Sequence, residues 1–328
     1  MEIVRIEDLK IYYKLIDGVA KAVDGVSIKV YPNEILGIAG ESGSGKTTMV
    51  NGLVRLVKPP AYIAGGSITV NYGENGIPKE VNLLRISENE MRNLRWSFIS
   101  YIPQASMNSL NPLLRVKDQM MDVIRERSNK SKEEALTLLP ELLKRVNLSP
   151  QVLDMYPHEL SGGMKQRTII AMALALSPKI VIADEPTTAL DVVSQLSVLS
   201  TLYDVCRKSK TSLVLITHDM AVHAQLTDRV AIMYAGKIVE VGRTADVFKS
   251  PIHPYTKGLI ASIPTIENGG KRLEGISGIA PSPKNWPTGC RFHPRCPKAT
   301  DKCRGAEPSM VEYEEGHFVA CFHPEVKK

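Results

Sequence analysis

Cysteine, tryptophan and long apolar runs are all scarce in this chain. Of its 328 residues, five are Cys and two are Trp. The longest apolar run, IIAMALAL, is far shorter than the ~20 residues of a transmembrane helix, which argues against a membrane-spanning protein. With 41 basic and 35 acidic residues and no basic stretch, nucleic-acid binding is not indicated. The opening MEIVRIEDLK does not resemble a secretory signal, so we expect a cytoplasmic protein.

The few cysteines are unevenly placed. Cys206 is expected in the core, and the other four lie near the C-terminus: Cys290, Cys296, Cys303 and Cys321. Disulfides are rare in the cytoplasm, so a metal or a cluster is favoured. The gaps of five, six and seventeen residues are wider than zinc knuckles use. Four thiolates suit a [4Fe–4S] cluster, Zn²⁺ remains an alternative, and unligated thiols are the third possibility.

Strands alternate with helices along the first three quarters of the chain. Uniformly apolar strands such as KIVIADEP and SLVLITHD predict an α/β fold, with a parallel sheet covered on both faces. Capping boxes predict helices after Ser87 and Ser131. We also expect a helix over 46–56, a strand ending at Gln104 and a hairpin turning at Gly236 and Lys237. Residues 256–328 are rich in proline and cysteine, which predicts a loop-rich extension with little core of its own.

A phosphate-binding loop is predicted between a strand and a helix. GESGSGKTT matches G-x-x-x-x-G-K-[ST], in which glycines let successive N–H groups converge on phosphate oxygens. The helix N-terminus adds a partial positive charge. The lysine would reach the outer phosphates and the following threonine would ligate Mg²⁺. The loop residues are Gly40, Glu41, Ser42, Gly43, Ser44, Gly45, Lys46, Thr47 and Thr48.

Two acids end a second apolar strand, IVIADEP. Ligands of open α/β sheets bind at the carboxyl ends of strands. Asp184 is therefore expected to hold Mg²⁺, and Glu185 is expected to act as the general base for a water. In a sequence without a phosphate loop, two acidic residues after a strand would more simply be explained as part of a solvent-exposed loop.

A second anion site is suggested by LSGGMKQR. Ser161, Gly162 and Gly163 open a helix, so they would present backbone donors and a helix dipole to an anion. A plain helix cap is the alternative explanation.

Together these motifs resemble the ATP-binding cassette ATPases. The phosphate loop, a Q-loop glutamine, the LSGGMKQ signature, the acidic strand, the D-loop ALD and a switch histidine occur in family order over residues 1 to about 255. The resemblance implies a P-loop NTPase (RecA-like) core with an antiparallel β subdomain and a helical subdomain at about 107–157. It assigns Gln104 to catalysis and the Mg²⁺ shell, His218 to γ-phosphate sensing, and Tyr13 to adenine stacking, with Tyr12 as the alternative.

The resemblance narrows to dipeptide/oligopeptide importer subunits. Their C-terminal extension carries P-x-G-C…PRC…C…C, is associated with an iron–sulfur cluster, and corresponds here to 256–328. This implies an ATP-hydrolysing subunit on the cytoplasmic face of the membrane. Its implied partners are a second, non-identical ATPase subunit, two transmembrane permease subunits and an extracytoplasmic substrate-binding protein. ATP would be held between the phosphate loop of one ATPase and the signature of the other. One departure is the AS after Gln104, where relatives usually have DP.

Other functions remain open at this stage. Some relatives import oligosaccharides. A non-transport ABC ATPase in DNA repair or translation usually has two cassettes or large inserts, and this chain has one cassette. A non-hydrolysing nucleotide switch is disfavoured by the intact Glu185 and His218.

Overall fold

The structure, a computed structural model, describes residues 1–74, 77–128, 130–263 and 275–325. Strands and α-helices alternate through most of this part of the chain. The strands are β1 (Val4–Leu15), β2 (Gly18–Val30), β3 (Ile35–Ala39), β4 (Ala61–Glu74), β5 (Ile77–Asn82), β6 (Ile99–Ile102), β7 (Ile180–Asp184), β8 (Ser212–Ile216), β9 (Arg229–Tyr234), β10 (Lys237–Arg243), β11 (Val311–Glu314) and β12 (His317–Val319). The helices are α1 (Lys46–Leu53), α2 (Glu88–Leu94), α3 (Val116–Arg127), α4 (Lys132–Arg145), α5 (Gly162–Leu174), α6 (Val192–Ser209), α7 (Met220–Leu226), α8 (Thr244–Lys249), α9 (Pro254–Ala261) and α10 (Asp301–Gly305).

The chain divides into two compact units. Unit one consists of Met1, Tyr31–Glu34 and Arg85–Ile216, and unit two of Glu2–Val30, Ile35–Leu84 and Thr217–Lys328.

Unit one contains a parallel sheet. β7 lies between β6 and β8 and pairs with both in parallel. Every residue of β7 and β8 is buried, as expected of strands that are covered on both faces. The predicted capping boxes are present before α2 and α4, where Ser87 and Ser131 each exchange hydrogen bonds with the glutamate three residues on. The prediction of a parallel sheet is therefore confirmed in this unit.

Unit two combines antiparallel and parallel pairing. Four strands form an antiparallel sheet in the order β2–β1–β4–β5. β3 runs parallel to β9, and β9 forms a hairpin with β10. The C-terminal strands continue from there, because β12 pairs with β10 and β11 pairs with β12. The phosphate loop follows β3, so the pairing of β3 with β9 holds the strand that leads into the loop.

Three predicted boundaries are wrong by one to three residues. The first helix ends at Leu53 rather than Leu56, because Arg55 adopts a φ of 52°, the left-handed conformation that ends helices. β6 ends at Ile102 rather than Gln104, because Pro103 has no N–H to continue the ladder. The β9–β10 hairpin turns at Ala235 and Gly236, so Lys237 already belongs to β10.

The segment 275–325 shares the core of unit two. The ring of Phe292 lies 5.2 Å from that of Tyr234 and 5.4 Å from that of Tyr255, measured between centroids. Phe292 and Val319 are almost completely buried. The segment thus obtains apolar contacts that its own composition could not provide. Among the described residues, no helix has the length and apolar character needed to cross a membrane.

Candidate functional site

The backbone of the phosphate loop is shaped by glycines that no other residue could replace. Gly45, the residue before α1, has a φ of 105°, and a Cβ there would lie 2.3 Å from the carbonyl oxygen of Ala22. Gly40 has a φ of 143°, and its Cβ would lie 2.1 Å from the carbonyl oxygen of Met233. Both the conformation and the space therefore require glycine. The result is a tight loop that ends at the N-terminus of α1, where free N–H groups favour an anion.

Lys46 lies against the start of this loop. Its Nζ donates to the carbonyl oxygen of Gly40 at 2.8 Å and to that of Glu41 at 2.9 Å, with Ser44 Oγ at 3.5 Å. The side chain is almost buried, although it carries a charge. An ammonium group held beside converging amides is suited to bind phosphate oxygens. The hydroxyl of Thr47, the next residue, is an oxygen donor of the kind that Mg²⁺ prefers.

The two candidate adenine-binding tyrosines have different surroundings. Successive side chains of a strand point to opposite faces. Tyr13 Oη lies 3.2 Å from Thr48 Oγ1, so it contacts the end of the phosphate loop. Tyr12 donates to Asp24 at 2.6 Å and packs edge-to-face on Tyr62, and burial together with Asp24 raises the pKa of its phenol. Of the two, Tyr13 is the one that lies beside the phosphate loop.

The acidic strand end belongs to unit one. Asp184 is completely buried at the end of β7, and Tyr101 Oη donates to its carboxylate at 3.3 Å. Burial, with the neighbouring Asp184 carboxylate, raises the pKa of Tyr101 above its usual value. Glu185 has a φ of 48°, although it is not glycine, and its N–H donates to Ile216 O at 2.9 Å. A left-handed conformation costs energy for such a residue and is concentrated at functional sites.

The signature region does cap a helix. Ser161 is exposed, and its hydroxyl accepts a hydrogen bond from the N–H of Met164 at 3.3 Å at the start of α5. A Cβ on Gly162 would lie 2.8 Å from a Leu190 methyl group, so a larger residue there would require the Leu190 side chain to shift. Gly163 follows it as the second residue of α5, and α5 buries most of its length. The cap therefore exists, with Ser161 exposed, Gly162 half-buried and Gly163 buried, and the start of a helix favours an anion.

The remaining predicted residues are exposed. Gln104 lies two residues after β6 in unit one, next to Ala105, which has a φ of 55°. His218 lies in unit two, immediately before Asp219, the residue whose carboxylate caps α7 by accepting the N–H of Ala221 at 2.8 Å. Asp191 of the predicted D-loop likewise caps α6 by accepting from Ser194 at 2.9 Å.

Sequence reasoning missed two contacts at the phosphate loop. The backbone N–H of Glu41 donates to Tyr255 Oη at 2.8 Å. The carboxylate of Glu41 pairs with the guanidinium of Arg295 at 2.7 and 2.9 Å. Arg295 stands in PRC, which was noted for its cysteine, and Tyr255 stands in HPYTKGLI. No local signal in either stretch indicates a contact with the phosphate loop.

The four C-terminal thiols influence one another. Burial raises the pKa of Cys290, Cys296 and Cys321, and nearby thiols add to the rise in each. For Cys321 the pKa reaches about 11. The backbone of Cys290 donates to that of Cys303 at 2.8 Å. In the described part of the chain, however, no group of three or more Cys, His, Asp or Glu is arranged to hold a metal ion. Cys206 lies in the core, as predicted.

Two family models match the chain. The model described as ABC transporter matches residues 23–188, which contain the phosphate loop, the signature and the acidic strand end. The model described as oligopeptide/dipeptide transporter, C-terminal region, matches residues 239–303, which contain three of the four clustered cysteines.

Relatives match along nearly their whole length. The dipeptide transport ATP-binding protein DppD of Caldanaerobacter subterraneus subsp. tengcongensis is 40% identical over 97% of this chain and 96% of its own. The oligopeptide transport ATP-binding protein AppD of Bacillus subtilis is 42% identical over 98% and 96%. The oligopeptide transport ATP-binding protein OppD of Escherichia coli is 40% identical over 98% and 93%.

A solved structure agrees on the fold. The dimeric post-hydrolysis state of the ATP-binding cassette MJ0796, bound to ADP and phosphate, superimposes with a TM-score of 0.62 at 27% identity, covering 74% of this chain and 98% of that one. On this evidence the chain belongs to the ABC transporter family, has the ABC cassette fold of the P-loop NTPases, and is an ATPase.

Proposed function

We propose that this chain is the ATP-hydrolysing subunit of an importer for dipeptides or oligopeptides. The observation that carries the proposal is the phosphate loop, whose positive-φ glycines, buried lysine and helix N-terminus form a site for the phosphates of ATP. The peptide class is supported by the match of residues 239–303 and by the names of the relatives. The match of residues 239–303 favours a role in transport over a role in DNA repair or translation, and it does not support the import of oligosaccharides.

The proposed roles follow from the chemistry of each side chain. Lys46 and the loop amides bind and stabilise phosphate charge. Thr47 and Asp184 offer oxygen ligands to Mg²⁺, which neutralises phosphate charge when bound, and Gln104 adds a third. Glu185, held in a strained conformation, accepts the proton of the attacking water. Tyr13 stacks on adenine, and His218 senses the γ-phosphate.

The proposed assembly includes further subunits. The start of α5, with the exposed Ser161 followed by Gly162 and Gly163, would complete the ATP site of a second ABC ATPase subunit. The dimeric state of the MJ0796 cassette supports such an arrangement. Two transmembrane permease subunits and an extracytoplasmic substrate-binding protein complete the importer, with this chain on the cytoplasmic face of the membrane. The insert at about 107–157, which contains α3 and α4, would contact a permease subunit.

The domain division is part of the same proposal. Residues 1–255 would form the nucleotide-binding domain and residues 256–328 the C-terminal extension. Within that extension Cys290, Cys296, Cys303 and Cys321 would hold a [4Fe–4S] cluster, with Zn²⁺ as the alternative. The support is that the pKa values of Cys290, Cys296 and Cys321 are raised by burial and by neighbouring thiols, so thiols that could serve as metal ligands interact with one another. The side chains as they stand do not form a metal-binding group within the described residues.

Replacing the proposed base tests the function. Glu185→Gln keeps the shape of the side chain but cannot accept a proton, so ATP hydrolysis should fall about 100-fold or more. ATP binding should remain, because the phosphate loop is unchanged. Lys46→Ala should instead weaken binding itself. Turnover by phosphate release and binding by a fluorescent ATP analogue separate the two effects. A Glu185→Gln protein with wild-type turnover would contradict the proposed role.

A further inference from the structure

A buried ion pair joins the C-terminal segment to the phosphate loop within unit two. Arg295 Nη1 lies 2.7 Å from Glu41 Oε2, and Arg295 Nη2 lies 2.9 Å from Glu41 Oε1. The guanidinium and the carboxylate thus meet in the two-bonded geometry that is the strongest for this pair. The Arg295 side chain is 6% exposed and that of Glu41 27%. The pair is therefore largely shielded from water, unlike most surface ion pairs.

Arg295 is itself held in place. Its Nε donates to Ser277 O at 3.0 Å, and Nη2 also donates to Ile276 O at 3.3 Å. Its guanidinium lies over the ring of Tyr234, 5.8 Å from the centroid. The hydrogen bond to Glu41 raises the pKa of Arg295 above its already high value, so the group remains charged. A side chain with this many fixed contacts can position its partner.

Glu41 is gripped through its backbone as well as its carboxylate. Its N–H donates to Tyr255 Oη at 2.8 Å, and its carbonyl oxygen accepts from Lys46 Nζ at 2.9 Å and from the N–H of Ser44 at 3.2 Å. The second residue of the loop is therefore fixed at all of its polar groups. Two of the groups that fix Glu41, the hydroxyl of Tyr255 and the guanidinium of Arg295, belong to the part of the chain that follows β10.

We propose that Arg295 is a positioning residue for ATP, which acts through Glu41. It neutralises the carboxylate of a residue within the loop proposed to bind a polyanionic triphosphate, and it fixes that carboxylate through two hydrogen bonds. Without Arg295, the bare carboxylate would repel the phosphates and would remain as a partly buried charge without its partner. This inference rests on the assignment of Gly40–Thr48 as the phosphate site.

Removing the arginine alone and together with the glutamate tests the proposal in the full-length chain. Arg295→Ala should raise the Kd of a fluorescent ATP analogue, and the KM for ATP, about tenfold or more, while kcat changes less. The double variant Arg295→Ala with Glu41→Ala should bind more tightly than Arg295→Ala alone, because the unpaired carboxylate is gone. Arg295→Lys should be intermediate, since it keeps the charge but not the two-bonded geometry.

Salt dependence supplies a readout that a purely structural role would not change. The defect of Arg295→Ala should shrink as salt rises, because the ions screen repulsion between Glu41 and the phosphates. Glu307→Gln is the matched control, since it breaks an ion pair between the same segment and Lys237 in which no phosphate-loop residue takes part, and it should leave Kd unchanged. An unchanged Kd in Arg295→Ala would overturn the proposal. So would a raised Kd that neither the double variant nor salt corrects. Normal binding by Lys46→Ala would instead overturn the assignment of the phosphate site.

Discussion

The imidazole of His253 caps helix α9 through Tyr255: its Nδ1 accepts the backbone N–H of Tyr255 at 3.0 Å. The His253 side chain is buried, with the residue 1% exposed, and the backbone N–H of His253 donates to the carboxylate of Glu240 at 2.9 Å. Burial lowers the pKa of this imidazole to about 4, although Glu240 acts in the opposite direction. The folded protein therefore keeps His253 neutral at pH values where the unfolded chain would protonate it.

This neutrality makes the stability of the protein depend on pH. In the unfolded chain His253 binds a proton as the pH falls below about 6.5, whereas in the folded chain it does so only near pH 4. Stability due to this group is complete above pH 6.5 and should be lost between pH 6.5 and 4, by up to about 3 kcal/mol. His253→Asn keeps an acceptor at the cap but cannot protonate, so it should lose less stability over that range.

Urea unfolding at pH 7.5 and pH 5 measures the difference. Above pH 7 the variant and the wild type should differ by a constant free energy of unfolding. Equal losses of stability on acidification in both proteins would show that His253 does not titrate in this way. His223, also completely buried with its pKa lowered to about 4, should account for a part of the slope that remains in the variant.

The signature helix provides a prediction about assembly. In a Glu185→Gln background, where hydrolysis is blocked, ATP should promote dimers of ABC ATPase subunits. Ser161→Phe should abolish these dimers, because a bulky ring at this exposed position would block access to the start of α5. Binding of ATP to the monomer should persist. Light scattering with and without ATP measures the mass, both for the chain alone and with an unlike partner ATPase.

The loss of a helix cap must be separated from this effect. Ser131 offers a matched control, since it is also an exposed serine whose hydroxyl caps a helix, here α4. Ser131→Phe should lower stability by about 1 kcal/mol, as Ser161→Phe should, but it should leave ATP-dependent dimers intact. If both variants dimerised equally well, the signature would have no part in the assembly.

The C-terminal thiols provide a prediction about metal content. Protein purified without oxygen should be brown and should contain about four iron and four sulfide per chain. Cys290→Ser should bleach the colour and expose the segment to protease. Cys206→Ser is the control, because Cys206 is buried in α6 with its pKa raised to about 12 and should affect neither property. A content of one zinc per chain would show that the four thiols bind Zn²⁺ and not a cluster. A metal-free protein would contradict both the cluster and the zinc site.

The sequence by itself determined the features that depend on neighbouring residues. The phosphate loop, the capping boxes at Ser87 and Ser131 and the buried parallel strands follow from spacing and local periodicity, and the structure has all of them. Motifs in family order also identified the cassette before any contact was visible. These features could be predicted because short-range backbone geometry demands particular residues at particular offsets.

Only the tertiary structure decided how the C-terminal segment meets the phosphate loop. Glu41 and Arg295 are 254 residues apart, and nothing near either of them indicates its partner. The same holds for Phe292, which completes an aromatic cluster with Tyr234 and Tyr255 and so gives the proline-rich segment a core. The left-handed φ of Glu185 could not be predicted from the sequence either. Such contacts depend on where separate elements pack, and packing energy is shared among many residues, so no local pattern records it.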